Sequence, residues 1–183
     1  MTVLILGLLL WAGAHMFKRF APRARAGMGE RGKAMVAGLS LMGIVLMVLG
    51  FRAADTVQLY HTPAWGVHLN NTLMVVAVFL LGAGSTKGLL VDKLRHPMLT
   101  GVALWAASHL LVNGDLASLV LFGGLGLWAV AEMVLINRAG PWKRPAKGSL
   151  VGDAKNLGVT VLIFAVATGI HWWLGHNPFV VPL

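Results

Sequence analysis

Six apolar segments alternate with short polar stretches along the chain. An α-helix needs roughly 17 to 25 residues to cross a bilayer, and the fourth segment is the shortest of the six. The pattern predicts an all-α integral membrane bundle of about six transmembrane helices. The predicted spans are residues 1–17, 34–51, 65–84, 97–112, 116–136 and 157–174.

Basic residues gather in alternate loops. The connections after the first, third and fifth spans contain every lysine and arginine of the chain except Arg52. Because basic loops stay on the cytoplasmic side, we expect these three loops to be cytoplasmic and both termini to lie on the non-cytoplasmic side. The fifth connection, residues 137–156, contains two prolines and is predicted to be non-helical.

The composition supports a membrane location. Of the 183 residues, 57% are hydrophobic and 11% are charged, and the mean hydropathy is +0.77. The net charge of +9 is explained by loops that face anionic membrane lipids, so no nucleic-acid partner is expected. The absence of cysteine excludes disulfides, thiolate metal sites, iron–sulfur clusters and covalently attached c-type haem.

Ionisable side chains inside membrane spans are rare because burying them in lipid is costly, so each one is a candidate functional residue. The candidates are one histidine in the first span, one at each end of the fourth, one in the sixth, and a single acid in the fifth. In chain order they are His15, His96, His109, Glu132 and His171.

Two of these histidines follow a tryptophan at a spacing of four residues, Trp11 before His15 and Trp105 before His109. This spacing places each pair on one helix face. A flat ring beside an imidazole suits the wall of a pocket for a planar aromatic cofactor. The alternative is that the tryptophans favour the membrane interface and that each histidine hydrogen-bonds a neighbouring helix.

His96 and Arg95 precede Pro97, which suits the first position of a helix because proline lacks an N–H. The sequence therefore predicts that His96 caps the fourth helix. A helix start with two basic side chains attracts anions such as a propionate or a lipid phosphate. The alternative is a basic anchor at the membrane surface. Glu132 is expected to form a structural pair with Arg95, Arg138 or His96, and the alternative is a role in proton chemistry.

The sequence resembles the NnrU family over nearly its whole length, and we expect a single NnrU-like transmembrane domain over residues 1–183. The resemblance rests on a combination of motifs, of which RHP alone is weak. They are His15, GERG at 29–32, LRHPMLTG at 94–101, LWAASHLLVNGD at 104–115, LWAVAE at 127–132 and IHWWLG at 170–175.

The NnrU family is similar to the zeta-carotene cis-trans isomerase, Z-ISO, a membrane protein that carries haem b. The shared part is RHP followed by a tryptophan and a histidine on the same helix. The resemblance implies that His109 and His15 are axial haem ligands. Ala106 stands where the isomerase has a cysteine thought to act in a redox-linked ligand switch, a difference that concerns isomerase activity and not haem binding.

The depth of each histidine gives a different pairing. At about 1.5 Å per residue, His96 and His109 are roughly 20 Å apart along their helix, too far to share one iron. The topology places His109 near the outer face with His171, and His15 near the cytoplasmic face with His96. The sequence alone thus favours His109 with His171, whereas the family resemblance favours His109 with His15. One haem b, or two, fits these sets.

Three functions are consistent with these features. The first is a haem b protein of the bacterial inner membrane acting on a lipophilic molecule, such as a polyene isomerase. The second is a non-enzymatic haem or accessory protein that serves nitrite and nitric oxide respiration through a redox partner, and a homo-oligomer fits either. The third is an S-adenosylmethionine-dependent methyltransferase, because RHP also occurs in isoprenylcysteine carboxyl methyltransferases, although no acid follows Asp153 here.

Overall fold

The structure, a computed structural model, describes residues 1–180, and all its regular elements are helices. Five helices are long and apolar enough to cross a membrane, and α5, with 16 residues, is shorter. A five-residue π-helical segment, Leu119–Gly123, lies inside α6. The helices are α1 (Thr2–Phe20), α2 (Pro22–Gly27), α3 (Gly29–Arg52), α4 (Ala64–Thr86), α5 (Pro97–Val112), α6 (Leu116–Ala139) and α7 (Leu150–Trp173).

The membrane-spanning helices contact one another in the order α3, α1, α6, α5, α4, α7. Glycines bring α1 and α3 together as an antiparallel pair, since an ideal Cβ on Gly43 would lie 2.7 Å from the Trp11 Cβ. Such small residues let helix backbones approach closely in a membrane. Gly101 plays the same part between α5 and α4, because its ideal Cβ would lie 2.9 Å from the Ala77 carbonyl oxygen.

The loops lie at two ends of the bundle. Residues 20–29, 86–97 and 139–150 form what we call the basic end, where the Ser149 N–H donates to the Lys87 carbonyl at 3.0 Å. At the opposite end, the Leu59 N–H donates to the Gly114 carbonyl at 2.8 Å. The three loops rich in basic residues therefore lie at one end of the bundle. That the basic end faces the cytoplasm stays a prediction.

The predicted bundle of about six helices is confirmed, but the predicted non-helical connection at 137–156 is wrong at both ends. Helix α6 continues to Ala139, and α7 begins at Leu150. Helix α7 begins this early because it has a local N-cap. The Ser149 Oγ accepts the Gly152 N–H at 3.1 Å, and Asp153 lies in the first turn. In the first loop, Pro22 starts the short helix α2, which the pattern of apolar residues did not predict.

Candidate functional site

His15 lies on the face of α1 that packs against α6. Its Nδ1 is 2.8 Å from the Trp11 carbonyl oxygen. Because a carbonyl only accepts, Nδ1 carries the proton, and in the neutral ring Nε2 keeps a free lone pair. Its ring centroid is 4.0 Å from that of Trp11 and 5.4 Å from that of Trp128. His15 is therefore a half-buried imidazole with its ligand nitrogen available.

His109 has the same arrangement on α5. Its Nδ1 is 3.0 Å from the Trp105 carbonyl oxygen, and the two ring centroids are 4.8 Å apart. On its other side the ring stacks on Phe122, with centroids 4.4 Å apart and an interplanar angle of 24°. Phe122 belongs to the π-helical segment of α6, a local irregularity that is frequent at functional sites.

His171 repeats the arrangement on α7, where its Nδ1 is 2.7 Å from the Ala167 carbonyl oxygen. The side chain of His171, unlike those of His15 and His109, is exposed on the bundle surface. Metal-binding histidines usually donate the proton of their second nitrogen to a carbonyl or carboxylate, which fixes the tautomer. All three histidines predicted as metal ligands satisfy that condition.

The helix contacts define the relative depth of these residues. Helix α1 runs parallel to α6, since Trp11 contacts Trp128 with ring centroids 4.5 Å apart and Arg19, further along α1, contacts Glu132, further along α6. Helix α5 runs antiparallel to α6, since an ideal Cβ on Gly126 would lie 3.2 Å from the Ala106 Cβ. This register puts Trp105, next to Ala106, at the depth of Trp11.

His15 and His109 therefore lie on opposite sides of one tryptophan layer. Each histidine follows its tryptophan by four residues in opposite directions, which separates their Cα atoms in depth by about 12 Å. The hydrogen bond of each ring to the carbonyl four residues earlier turns the ring back toward the layer. The two imidazoles thus lean toward a common depth.

His171, like His109, lies in the last turn of its helix, at the end of the bundle opposite the basic end. In the plane of the membrane, however, His109 and His171 are on helices that are separated by α4. Helix α7 packs on α4, and α4 packs on α5. His109 faces α6, and the structure brings it together with aromatic side chains there rather than with His171.

Glu132 is 4% exposed, and its Oε1 accepts a hydrogen bond from the Arg19 Nε at 2.8 Å. The predicted partners Arg95, Arg138 and His96 are thus wrong. The physical reason is that α1 continues beyond the predicted first span to Phe20 and carries Arg19 one turn beyond His15, on the side of Glu132.

Two polar atoms beside this ion pair are buried without a partner among residues 1–180. They are the Glu132 Oε2 and the Trp128 Nε1, four residues apart on α6. Buried polar atoms in folded proteins are nearly always hydrogen-bonded. The unpaired Trp128 N–H belongs to the ring that contacts His15, with ring centroids 5.4 Å apart.

The side chains of Arg95 and His96 link the start of α5 to the end of α6 by hydrogen bonds. The Arg95 Nη2 donates to the Gly140 carbonyl at 2.7 Å and to the Ile136 carbonyl at 3.2 Å, and the His96 Nε2 is 2.9 Å from the Asn137 Oδ1. The prediction that His96 caps α5, with Pro97 first in the helix, is confirmed. Binding of an anion by Arg95 and His96 stays a prediction.

Two half-buried imidazoles with a free Nε2 have the chemistry of haem-iron ligands. No group of three or more His, Asp or Glu side chains within residues 1–180 is arranged to hold a metal. Haem brings four nitrogens of its own, so one or two imidazoles are sufficient. Of the cavities in the described residues, one of roughly 200 Å³ lies at the opposite end beside Asp115, and one of roughly 380 Å³ lies between α1 and α3.

Sequence reasoning missed two residues of this site. Arg19 follows His15 by four residues, as His15 follows Trp11, so the sequence indicates that all three lie on one face of α1. The contact of Phe122 with His109 could not be predicted from the sequence, because it depends on a π-helical segment that hydrophobic periodicity does not reveal.

Comparison with known proteins supports the motif-based resemblance. The family model described as NnrU protein matches residues 3–178. Searches among curated proteins and among solved structures found no match. A relation to the isomerase Z-ISO is consistent with this family. Since the match covers nearly the whole chain, the protein belongs to the NnrU family.

Proposed function

We propose that this multi-pass membrane protein binds haem b inside the bundle, with His109 and His15 as the axial ligands. The observation that carries the proposal is the shared arrangement of the two rings. Both donate from Nδ1 to a carbonyl on their own helix, keep Nε2 free, and lean toward one aromatic layer.

The bound haem would supply a redox-active iron. The protein would supply Nε2 of each imidazole, and the carbonyls of Trp11 and Trp105 would hold both rings in the ligating tautomer. Trp128 and Phe122, which contact the two histidines, would form apolar walls that exclude water. The unpaired Trp128 N–H would be available to a carboxylate of the cofactor.

His171 is the alternative second ligand. Its place at the same end of the bundle as His109 favours it, but its exposed side chain and the packing of α7 on α4 favour His15. The two pairings make different predictions: the second ligand is removed by substitution of His15 in one pairing and of His171 in the other.

A non-enzymatic role in electron transfer is the first candidate, and the link to nitrite and nitric oxide respiration is what membership of the NnrU family implies. If His15 and His109 both held the iron, the protein would leave it no open position for a substrate. Ala106, at the position of the isomerase cysteine, is 2% exposed and packs against Gly126. Polyene isomerisation is a second candidate, favoured by the RHP start of α5 and by His109 on the same helix.

The protein is placed by this proposal in the bacterial inner membrane, with the basic end in the cytoplasm. The exclusion of lysine and arginine from the opposite end, apart from Arg52, supports that orientation.

The test is an optical spectrum and a haem-to-protein ratio for protein purified from haem-sufficient cells. We expect a Soret band that is lost in His109→Ala and retained in His68→Ala, an exposed histidine at the opposite end. Circular dichroism of both variants checks that the helices are intact. A colourless wild-type preparation would contradict haem binding, and rapid isomerisation of a cis-carotene by the reduced protein would contradict a purely electron-transferring role.

A further inference from the structure

A lipid-facing groove runs between α1 and α3 near the basic end. It has a volume of roughly 380 Å³, and its lining includes Gly13, Ala14 and Phe17 from α1 and Met35 and Leu39 from α3. From Leu10 to Phe17 the lining extends for about 10 Å along α1. All the lining side chains are apolar, so the groove suits a hydrocarbon chain.

The groove exists because the contact between α1 and α3 loosens along its length. Toward the opposite end, glycines hold the helices together, with Gly7 against Met47 and Gly50 against Leu4. Toward the basic end this close contact stops. An ideal Cβ on Gly13 would meet nothing within 4 Å.

Two basic side chains stand at the end of the groove. Lys18 follows Ala14 by one helical turn, and Arg31 precedes Met35 by one turn, so each continues a lining face toward the basic end. Both side chains are exposed, and neither forms an ion pair with a residue in the described range 1–180. An apolar groove that ends in two free cations is complementary to an anionic amphiphile.

We propose that this groove is a specific site for an anionic phospholipid. One acyl chain lies against Gly13 and Leu39, and the phosphate lies between Lys18 and Arg31. The site is independent of the proposed haem, because His15 is on the face of α1 that contacts α6.

The headgroup is tested with the intact protein by native mass spectrometry, which counts bound phosphatidylglycerol against phosphatidylcholine of the same acyl chains. We expect a preference for phosphatidylglycerol that falls roughly fivefold for each cation removed in Lys18→Gln and Arg31→Gln, since a basic side chain near anionic lipid contributes about that factor. The control Lys143→Gln/Lys147→Gln removes two charges from the fifth loop and should leave the preference unchanged. Equal binding of the two lipids, or an equal loss in the control, would overturn the proposal.

The groove is tested by filling it. Gly13→Leu should lower the retention of phosphatidylglycerol, whereas Gly158→Leu should not, because Gly158 on α7 has equally open surroundings but no groove. Leu39→Phe fills the same space from α3 and serves if Gly13→Leu does not fold. Unchanged retention in both groove variants would overturn the proposal, and so would a change in oligomeric state, which would identify a second copy of the chain as the occupant.

Discussion

Arg19 and Glu132 form an ion pair whose two members should respond very differently to substitution. The side chain of Glu132 is 6% exposed, whereas that of Arg19 is 25% exposed and lies near the basic end. Arg19→Met therefore leaves a buried carboxylate without its cation. Glu132→Gln keeps an acceptor for the Arg19 Nε and leaves a cation that can turn toward water and lipid headgroups.

The expected costs follow from these exposures. Removing one partner of a buried ion pair typically costs 3–5 kcal/mol, and partial exposure of Arg19 places Arg19→Met at about 3 kcal/mol. Glu132→Gln should cost about 1 kcal/mol, the value of an altered hydrogen bond. The double variant should recover most of the loss caused by Arg19→Met, because it has no unpaired buried charge.

The assay is reversible unfolding in mixed micelles, followed by circular dichroism, with all three variants and Lys33→Met. Lys33 pairs with Glu30 in an exposed ion pair, so Lys33→Met should have almost no effect. If Glu132→Gln costs as much as Arg19→Met, or if the double variant is simply additive, the carboxylate is not buried as described.

Two further predictions concern the frame of the bundle. Gly43→Ala should destabilise the protein by about 1–3 kcal/mol in the same unfolding assay, because the new methyl group meets Trp11. Gly38→Ala is the control, since its new methyl group would meet nothing within 4 Å, and it should be neutral or slightly stabilising. Equal effects of the two substitutions would contradict the close approach of α1 and α3. Tyr60, the only tyrosine, has its pKa raised, first by burial and then by the charge of Asp115, so its absorbance at alkaline pH should titrate above the usual value of about 10. The contribution of Tyr60 to stability should be constant below about pH 10 and be lost as the pH rises through its folded-state pKa, so Tyr60→Phe should lack this part of the decline; a tyrosine titration at or below pH 10 would contradict the raised pKa.

The membrane-spanning helices could be predicted from the sequence because the length and hydropathy of an apolar segment are local properties. The fourth helix was placed correctly at Pro97–Val112, since proline fixes its start and its polar end follows at Asn113. The start of α7 was missed because polar residues of its first turn resemble a loop until Ser149 is recognised as a cap.

The site was only partly readable. A spacing of four residues correctly placed Trp11 with His15 and Trp105 with His109, because that contact lies within one helix. The partner of Glu132 and the contact of His109 with Phe122 depend on how α6 lies against α1 and α5. That packing is a property of the bundle, and no single segment specifies it.

Electron paramagnetic resonance of the ferric protein tests the proposed ligand pair most directly, because two histidine ligands give a low-spin iron. We predict a low-spin signal in the wild type and in His171→Ala, its loss together with the haem in His109→Ala, and its loss or conversion to a high-spin signal in His15→Ala. The absence of any haem signal in the wild type, or a low-spin signal that survives in His15→Ala, would contradict ligation by His15 and His109.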